Sequence, residues 1–310
     1  MNEPGNQYPK DDINDITGFR KKARLHQSQY RAEVLDVDHS RLEKDDYGSR
    51  LSEDDGLKGL NFYDGFSIFE EVRKKCNDKY KKPLYSDMLR SEHIPFNFFV
   101  PFRQDPEFAA MVFNEFLGGC IKNIYIDSDI KKFIEYTPSP KVNYLNDLTS
   151  FDAYIEYDHI DGNRGMIGIE VKYTEHEYKL KSRSKEEREI NNELSRYYKV
   201  SELSGIYKPD SYHLLKTDQF RQMWRNQILG ESILQTESNK YKYFTSLTLY
   251  PEGNTHFGES IKKYMELLKV NNNNCIPVTY EKFISLCNKH CPDENYKKWI
   301  DYLERRYIVK

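Results

Sequence analysis

Two short alternating segments, one on either side of a turn, limit what this chain can fold into more than any other feature. In Met166-Ile167-Gly168-Ile169-Glu170-Val171-Lys172, the residues Ile167, Ile169 and Val171 alternate with Gly168, Glu170 and Lys172. A period of two belongs to a β-strand, whose successive side chains point to opposite faces. The apolar set faces a core, and Glu170 and Lys172 share the other face, about 6–7 Å apart along the strand. In Phe151-Asp152-Ala153-Tyr154-Ile155-Glu156-Tyr157, the odd positions Phe151, Ala153, Ile155 and Tyr157 share one face, and Asp152, Tyr154 and Glu156 the other. Asp161-Gly162-Asn163-Arg164-Gly165 lies between the two segments and is rich in residues that tolerate positive φ. The pair therefore reads as a β-hairpin, in which Asp152 and Glu170 can converge.

That convergence has a chemistry. Mg²⁺ is a hard cation that takes oxygen ligands and keeps several waters. Asp152, Glu170 and the backbone carbonyl of Val171 make a partial shell for it, with Mn²⁺ as a substitute. Such an ion offsets charge on a phosphate and lowers the pKa of a bound water. Lys172 would orient that water, stabilise the transition state, or take a proton if its pKa is depressed.

The remainder of the chain supports one α/β core with helical additions. Its 310 residues allow a sizeable core without disulfide staples. Residues 1–58 read as a charged N-terminal arm, disordered over about the first ten positions, and residues 59–310 as a single domain. Phe19 to Val34 is expected to be a helix with Arg20, Lys21, Lys22, Arg24 and Arg31 on a solvated side. Ser67 to Tyr80 carries an i, i+4, i+8 stripe of Ile68, Val72 and Cys76. The prolines around Phe96–Phe102 suggest an extended or looped segment. Asp105-Pro106-Glu107 is a strong helix start, and Gly118-Gly119 a stop. Ile124 to Leu148 is ambiguous. Lys179 to Tyr198 reads as a charged helix, and Thr217 or Asp218 as the cap of a helix running to about Leu234. Tyr243 to Tyr250 reads as a strand, Asn271 to Asn274 as a loop, and the rest of the C-terminal part as helices.

Several function classes can be weighed on composition. A net charge of −3 does not announce a nucleic-acid binder, although a local basic surface remains open. Five scattered cysteines suggest a reducing, cytoplasmic setting. Cys287, His290 and Cys291 lack a second pair with zinc-like spacing, and the two cysteines read better as small apolar residues on one helix face. No apolar run approaches the roughly 18 residues of a transmembrane helix, and no membrane association is expected.

The residues Asp152 and Glu170-Val171-Lys172 resemble the motif of the PD-(D/E)xK nuclease-like superfamily, the restriction-endonuclease-like fold. The wording of Ser86-Asp87-Met88-Leu89-Arg90-Ser91-Glu92-His93, Ser150-Phe151-Asp152-Ala153 and Gly168-Ile169-Glu170-Val171-Lys172-Tyr173-Thr174-Glu175 is similar to a bacterial branch of it. Phe151 stands where the motif names proline. The resemblance implies an α/β fold with a mixed central sheet flanked by helices, and a Mg²⁺-dependent endonuclease acting on nucleic acid, DNA ahead of RNA. It also implies an acidic residue on the helix before the first core strand, Glu115 or, second, Glu107. Polar residues are implied on the helix after the E-x-K strand: Gln219, Gln222 and Arg225. Glu175 and Tyr173 would support the site from behind. Lys179, Lys181, Arg183, Lys185 and Arg188 are interleaved with acids and read better as a solvated helix than as a backbone contact. A homodimer is allowed for.

The alternatives are a non-catalytic nucleic-acid-binding domain on the same fold, or an interaction protein using the aromatic run and the charged arm. A kinase is set aside, because the glycine-rich loop, H-R-D and D-F-G segments are absent.

Overall fold

The two alternating segments form the middle of a six-stranded mixed sheet. It is seen in a computed structural model that describes residues 2–7, 12, 15–42, 47–175, 177, 182, 184–269 and 274–310. The strands are β1 (Ile121–Tyr125), β2 (Ile134–Tyr136), β3 (Phe151–His159), β4 (Arg164–Val171), β5 (Tyr243–Tyr250) and β6 (Cys275–Thr279). Their order is β1-β3-β4-β5-β6, with β2 also paired to β3. The β3–β4 hairpin is antiparallel, with Ala153 opposite Ile169 and Ile155 opposite Ile167. β4, β5 and β6 are parallel. Parallel neighbours need crossovers, and helices fill them: Lys185–Ile190, Arg196–Ser204 and Arg221–Thr236 between β4 and β5, and Thr255–Glu266 between β5 and β6. This is the α/β architecture that the resemblance implies.

Alternation sorts the side chains into two cores. Ala153, Ile155, Ile167, Ile169, Val171, Leu247 and Leu249 face one, where Phe108 and Phe113 of the Pro106–Leu117 helix meet Phe283 and Trp299 of the C-terminal helices. Tyr154, Met166 and Phe244 face the other, against Trp224, Ile228 and Ile233 of the Arg221–Thr236 helix. Phe151 departs from its expected face. Its ring joins the second core, stacked near Tyr154 and Phe244, because the regular β3–β4 register ends at Ala153–Ile169.

Other expectations need correction. The aromatic run is not extended. Ile94–Phe99 is an α-helix with Pro95 in its first turn, where the missing N–H costs nothing, and Val100–Arg103 continues it as a 3₁₀ turn. The long helix begins at Arg221, not at a Thr217 or Asp218 cap. The charged stretch is divided: Lys185–Ile190 and Arg196–Ser204 are separate helices, and Lys179, Lys181 and Arg183 lie outside the described residues. Positions 1 and 8–10 of the stretch expected to be disordered, and 271–273 of the expected loop, also lie outside them.

The N-terminal segment packs onto the domain. A helix at Phe19–Gln29 runs into a π-helical turn at Tyr30–Val34. Lys21 and Lys22 are exposed, but Arg24 and Arg31 are buried. Arg24 pairs with Asp12 at 2.8 Å, and Arg31 donates to the carbonyls of Gly48, Glu3 and Pro4. Among the described residues, no helix is long and apolar enough to cross a membrane.

Candidate active site

β4 carries Glu170 and, just past its end, Lys172 on the face covered by the Arg221–Thr236 helix. Both side chains are buried, and Lys172 Nζ donates to Glu170 Oε1 at 2.6 Å. The Lys172 backbone is fixed from two sides: its N–H donates to Leu249 O at 2.8 Å, and its carbonyl accepts from Tyr280 Oη at 2.6 Å. Helical spacing places Gln222 and Asn226 one above the other. They reach opposite oxygens of the same carboxylate, Gln222 donating to Glu170 Oε1 and Asn226 to Oε2. Glu170 is therefore held in one orientation by three donors.

Asp152 meets this pair from β3. Its Oδ2 accepts from the Val171 N–H at 2.6 Å, a place that a strand carbonyl would ordinarily take. The N–H and C=O of one strand residue point to the same side, so the Val171 carbonyl is turned toward β3 as well. Register adds a third carboxylate. β2 pairs Ile134 with Ala153 and Tyr136 with Phe151, which sets Glu135 opposite Asp152. Glu135, Asp152 and Glu170 thus form a row across three adjacent strands, along one wall of a cleft of about 550 Å³.

The electrostatics follow from the crowding. Burial, then the charges of Glu170 and Glu135, push the Asp152 carboxyl well above its usual range. Burial and Glu170 raise Glu135. At Lys172 burial opposes the charge, but the carboxylates of Glu170, Asp152 and Glu175 outweigh it and hold the ammonium above its ordinary value. Lys172 is therefore a fixed cation, and a depressed pKa suited to proton abstraction is not found.

The expected residues separate into those brought together and those not. Asp152, Glu170, Lys172, Gln222, Arg225 and Glu175 all line the cleft. Glu175 accepts from Ser91 N and Oγ at 3.3 and 3.1 Å, and from Tyr173 and Thr174 N–H at 3.0 and 3.1 Å, which ties the Ser86–His93 segment to the end of β4. Tyr173 is buried behind the strand, with its hydroxyl accepting from Gln27. Arg225 faces Thr149 at 2.7 Å, Glu186 at 2.8 Å and Asp147 at 3.3 Å.

Glu115 is a correction. It turns toward the C-terminal helices, where Lys289 and His290 bind it at 2.6 and 2.8 Å, so its charge is already satisfied away from the cleft. Glu107 is exposed in the first turn of its helix. The acid beside Asp152 is Glu135 instead. Gln219 is also displaced: it precedes the helix start and donates to Ser260 Oγ at 3.0 Å. Of the basic residues on the following stretch, Arg188 is exposed and Lys185 donates to Asn146 O. Among the described residues Cys287, His290 and Cys291 do not converge: His290 serves Glu115, Cys287 is in the core and Cys291 Sγ faces the Asp293 carbonyl.

Glu135 and Asn226 were missed. Asn226 was signalled by its spacing of four from Gln222. Glu135 had no signal, because its strand is three residues long and its φ of +51° is unusual for glutamate. Lys75 holds that backbone by donating to the carbonyls of Ile134 and Glu135.

The sequence profile of the PD-(D/E)XK nuclease superfamily matches residues 11–309. The chain belongs to the PD-(D/E)XK nuclease superfamily. Membership points to nuclease activity of the usual hydrolytic kind, with a divalent metal. No curated protein and no solved structure matches the chain.

The residues fit a PD-(D/E)XK metal centre. The donor set is of hard oxygens: two carboxylates and a strand carbonyl, with Glu135 adjoining. Among the described residues, no three potential ligand side chains already converge on one point. The Lys172 ammonium is the cation that partners Glu170 in this arrangement.

Proposed function

We propose that the protein is a Mg²⁺-dependent endonuclease that hydrolyses nucleic-acid phosphodiester bonds, with DNA as the substrate. The observation that carries the reading is the carboxylate row beside a buried, charged lysine on the E-x-K strand. Asp152, Glu170 and the Val171 carbonyl would hold the ion, with Mn²⁺ as a substitute. When bound, the ion lowers the pKa of a water and offsets charge on the phosphate. Gln222 and Asn226 orient Glu170 so that its oxygens are presented in one geometry. Lys172 keeps its proton and uses its charge to hold the attacking oxygen or a phosphate oxygen as negative charge builds. Water forms the new bond to phosphorus and gives its proton to solvent, the bond from phosphorus to the sugar oxygen breaks, and that oxygen takes up a proton from solvent as it leaves.

The test is a cleavage assay on single- and double-stranded DNA and RNA, linear and circular, with Mg²⁺, Mn²⁺ or chelator. Glu170→Gln and Lys172→Met should each lower cleavage at least 100-fold, and chelator should abolish it. Opening of a closed circle marks an endonuclease. Cleavage that survives both substitutions overturns the assignment; binding of nucleic acid without any cutting supports the non-catalytic alternative.

A further inference from the structure

We propose that an arginine-lined pocket beside the cleft binds a phosphate of the substrate strand and sets where that strand lies over the carboxylate row. This rests on the nuclease reading. The difficulty it answers is electrostatic: the cleft is lined by seven acidic side chains against three basic ones, so it does not by itself attract a polyanion. One bound divalent cation lowers that excess of acid and two at most cancel it, so neither makes the cleft a positive surface. Adjoining the cleft is a second, smaller cavity of about 140 Å³, whose lining is richer in bases than acids: Arg20, Arg24, Arg50 and Arg90 against Asp87 and Glu175, with Asp12 paired to Arg20 and Arg24 at its edge. Arg90 and Glu175 line both cavities, so the two share a wall.

The size selects the ligand. Small-molecule pockets begin at about 300 Å³, and this one is too small for a nucleoside but admits a phosphate with its waters. Guanidinium is the side chain best matched to phosphate, through paired N–H donors in one plane. The pocket is also held in register with the reacting centre. Arg24 is buried and fixed by Asp12 through both Oδ atoms, at 2.8 and 2.9 Å. Arg90 belongs to the Ser86–His93 segment, which Ser91 fastens to Glu175, five residues beyond Glu170. Arg50 faces Asp87 at 3.4 Å across the same segment. Arg90 itself is bound to Glu92 in a bidentate pair at the protein surface, Nε at 3.1 Å from both carboxylate oxygens and Nη2 at 2.6 Å from Oε1. A phosphate offers the same fork of acceptors and takes the place of Glu92 on the guanidinium. The segment that the sequence singles out thereby acquires a role: it carries the guanidinium at the boundary between anchor and cleft.

The test measures fluorescence anisotropy of oligonucleotides on the full chain with Mg²⁺, in a Glu170→Gln background so that nothing is cut. Duplexes with a 5′-phosphate, duplexes with a 5′-hydroxyl and a closed circle separate a terminal phosphate from an internal one. Arg90→Gln, and Arg20→Gln with Arg90→Gln, should weaken binding about 10-fold or more. They should also lower the slope of log affinity against log salt by about one, the signature of one lost phosphate contact. Arg73→Gln, an exposed arginine on the Ile68–Cys76 helix, should change neither. Arg90→Lys keeps the charge without the planar fork and should recover part of the affinity. If the parent binds and the wild type cuts, but the arginine variants bind with unchanged affinity and slope, the pocket is not a phosphate site and the nuclease reading stands. If wild type neither binds nor cuts any substrate, the nuclease reading fails and the pocket proposal fails with it.

Discussion

The Val171 N–H donates to Asp152 Oδ2 at 2.6 Å, so a side chain of β3 takes the position of a strand carbonyl at the end of β4. One contact does three things. It ends the ladder one step beyond Ala153–Ile169, it fixes the Asp152 carboxylate next to Glu170, and it leaves the Val171 carbonyl on the same side. The result is a concentration of negative charge that one buried ammonium only partly offsets, and the first two predictions follow from that imbalance.

A divalent cation should stabilise the protein through this row. Binding to the folded state alone adds about 2.7 kcal/mol at a concentration 100-fold above Kd. Thermal melts in Mg²⁺ or Mn²⁺ should therefore shift upward relative to chelator. The shift should disappear in a protein carrying both Asp152→Asn and Glu170→Gln. An equal shift in that double variant would place the ion elsewhere.

Without metal, Asp152 should make stability fall with rising pH. Its folded carboxyl is raised above the usual range by burial and by Glu170 and Glu135. The folded state then holds a proton that the unfolded chain has lost, so this group's contribution is most favourable below the ordinary carboxylate pKa. It is lost as pH rises from there toward the raised folded value. Asp152→Asn removes the penalty. In chelator at pH 8 the variant should be more stable than wild type by on the order of 1 kcal/mol or more, although it loses cleavage. Urea melts at acid and alkaline pH check the slope.

The parts legible in the sequence were those with a repeating physical signal. β3 and β4 alternate over six or seven residues, β5 is rich in aromatic and β-branched residues, and Asp105-Pro106 carries a cap that the structure uses, with Asp105 accepting from the Phe108 N–H at 2.8 Å. β6 was hidden because Pro277 lies inside it; as the last strand of the order, it tolerates a residue without an N–H. Arg24 and Arg31 looked solvated because sequence does not show which distant carboxylates and carbonyls will gather around a guanidinium. Glu135 could not be found for the same reason. A lone glutamate in a three-residue strand becomes part of the site only through its register with Asp152.

Glu231 provides a pH effect outside the cleft. It is buried on the Arg221–Thr236 helix, with Gln227 Nε2 at 3.4 Å as its side-chain hydrogen bond. Burial pushes its carboxyl up from 4.5 to about 7, with Gln227 pulling slightly the other way. An acid raised on folding costs stability above its unfolded pKa, so this penalty grows from about pH 4.5 to about pH 7 and stays constant beyond. Glu231→Gln should match wild type near pH 4 and exceed it at pH 8 by roughly 1–3 kcal/mol. Chemical denaturation at the two pH values decides it, and equal stability at pH 8 would show that the buried carboxyl carries no such penalty.

Gly168 tests the packing that sets the E-x-K strand in place. A Cβ there would stand 2.4 Å from Cε1 and 2.6 Å from Cδ1 of Phe151, the residue at the position the motif names as proline. Phe151 is buried against Tyr154 and Phe244 and has little room to move. Gly168→Ala should therefore cost about 1–3 kcal/mol through overpacking. Because the clash lies one step from Asp152 and two from Glu170, cleavage should fall with stability. Adding Phe151→Leu removes the ring and should restore part of both. A Gly168→Ala protein with an unchanged urea midpoint would mean that Phe151 does not press on this strand as described.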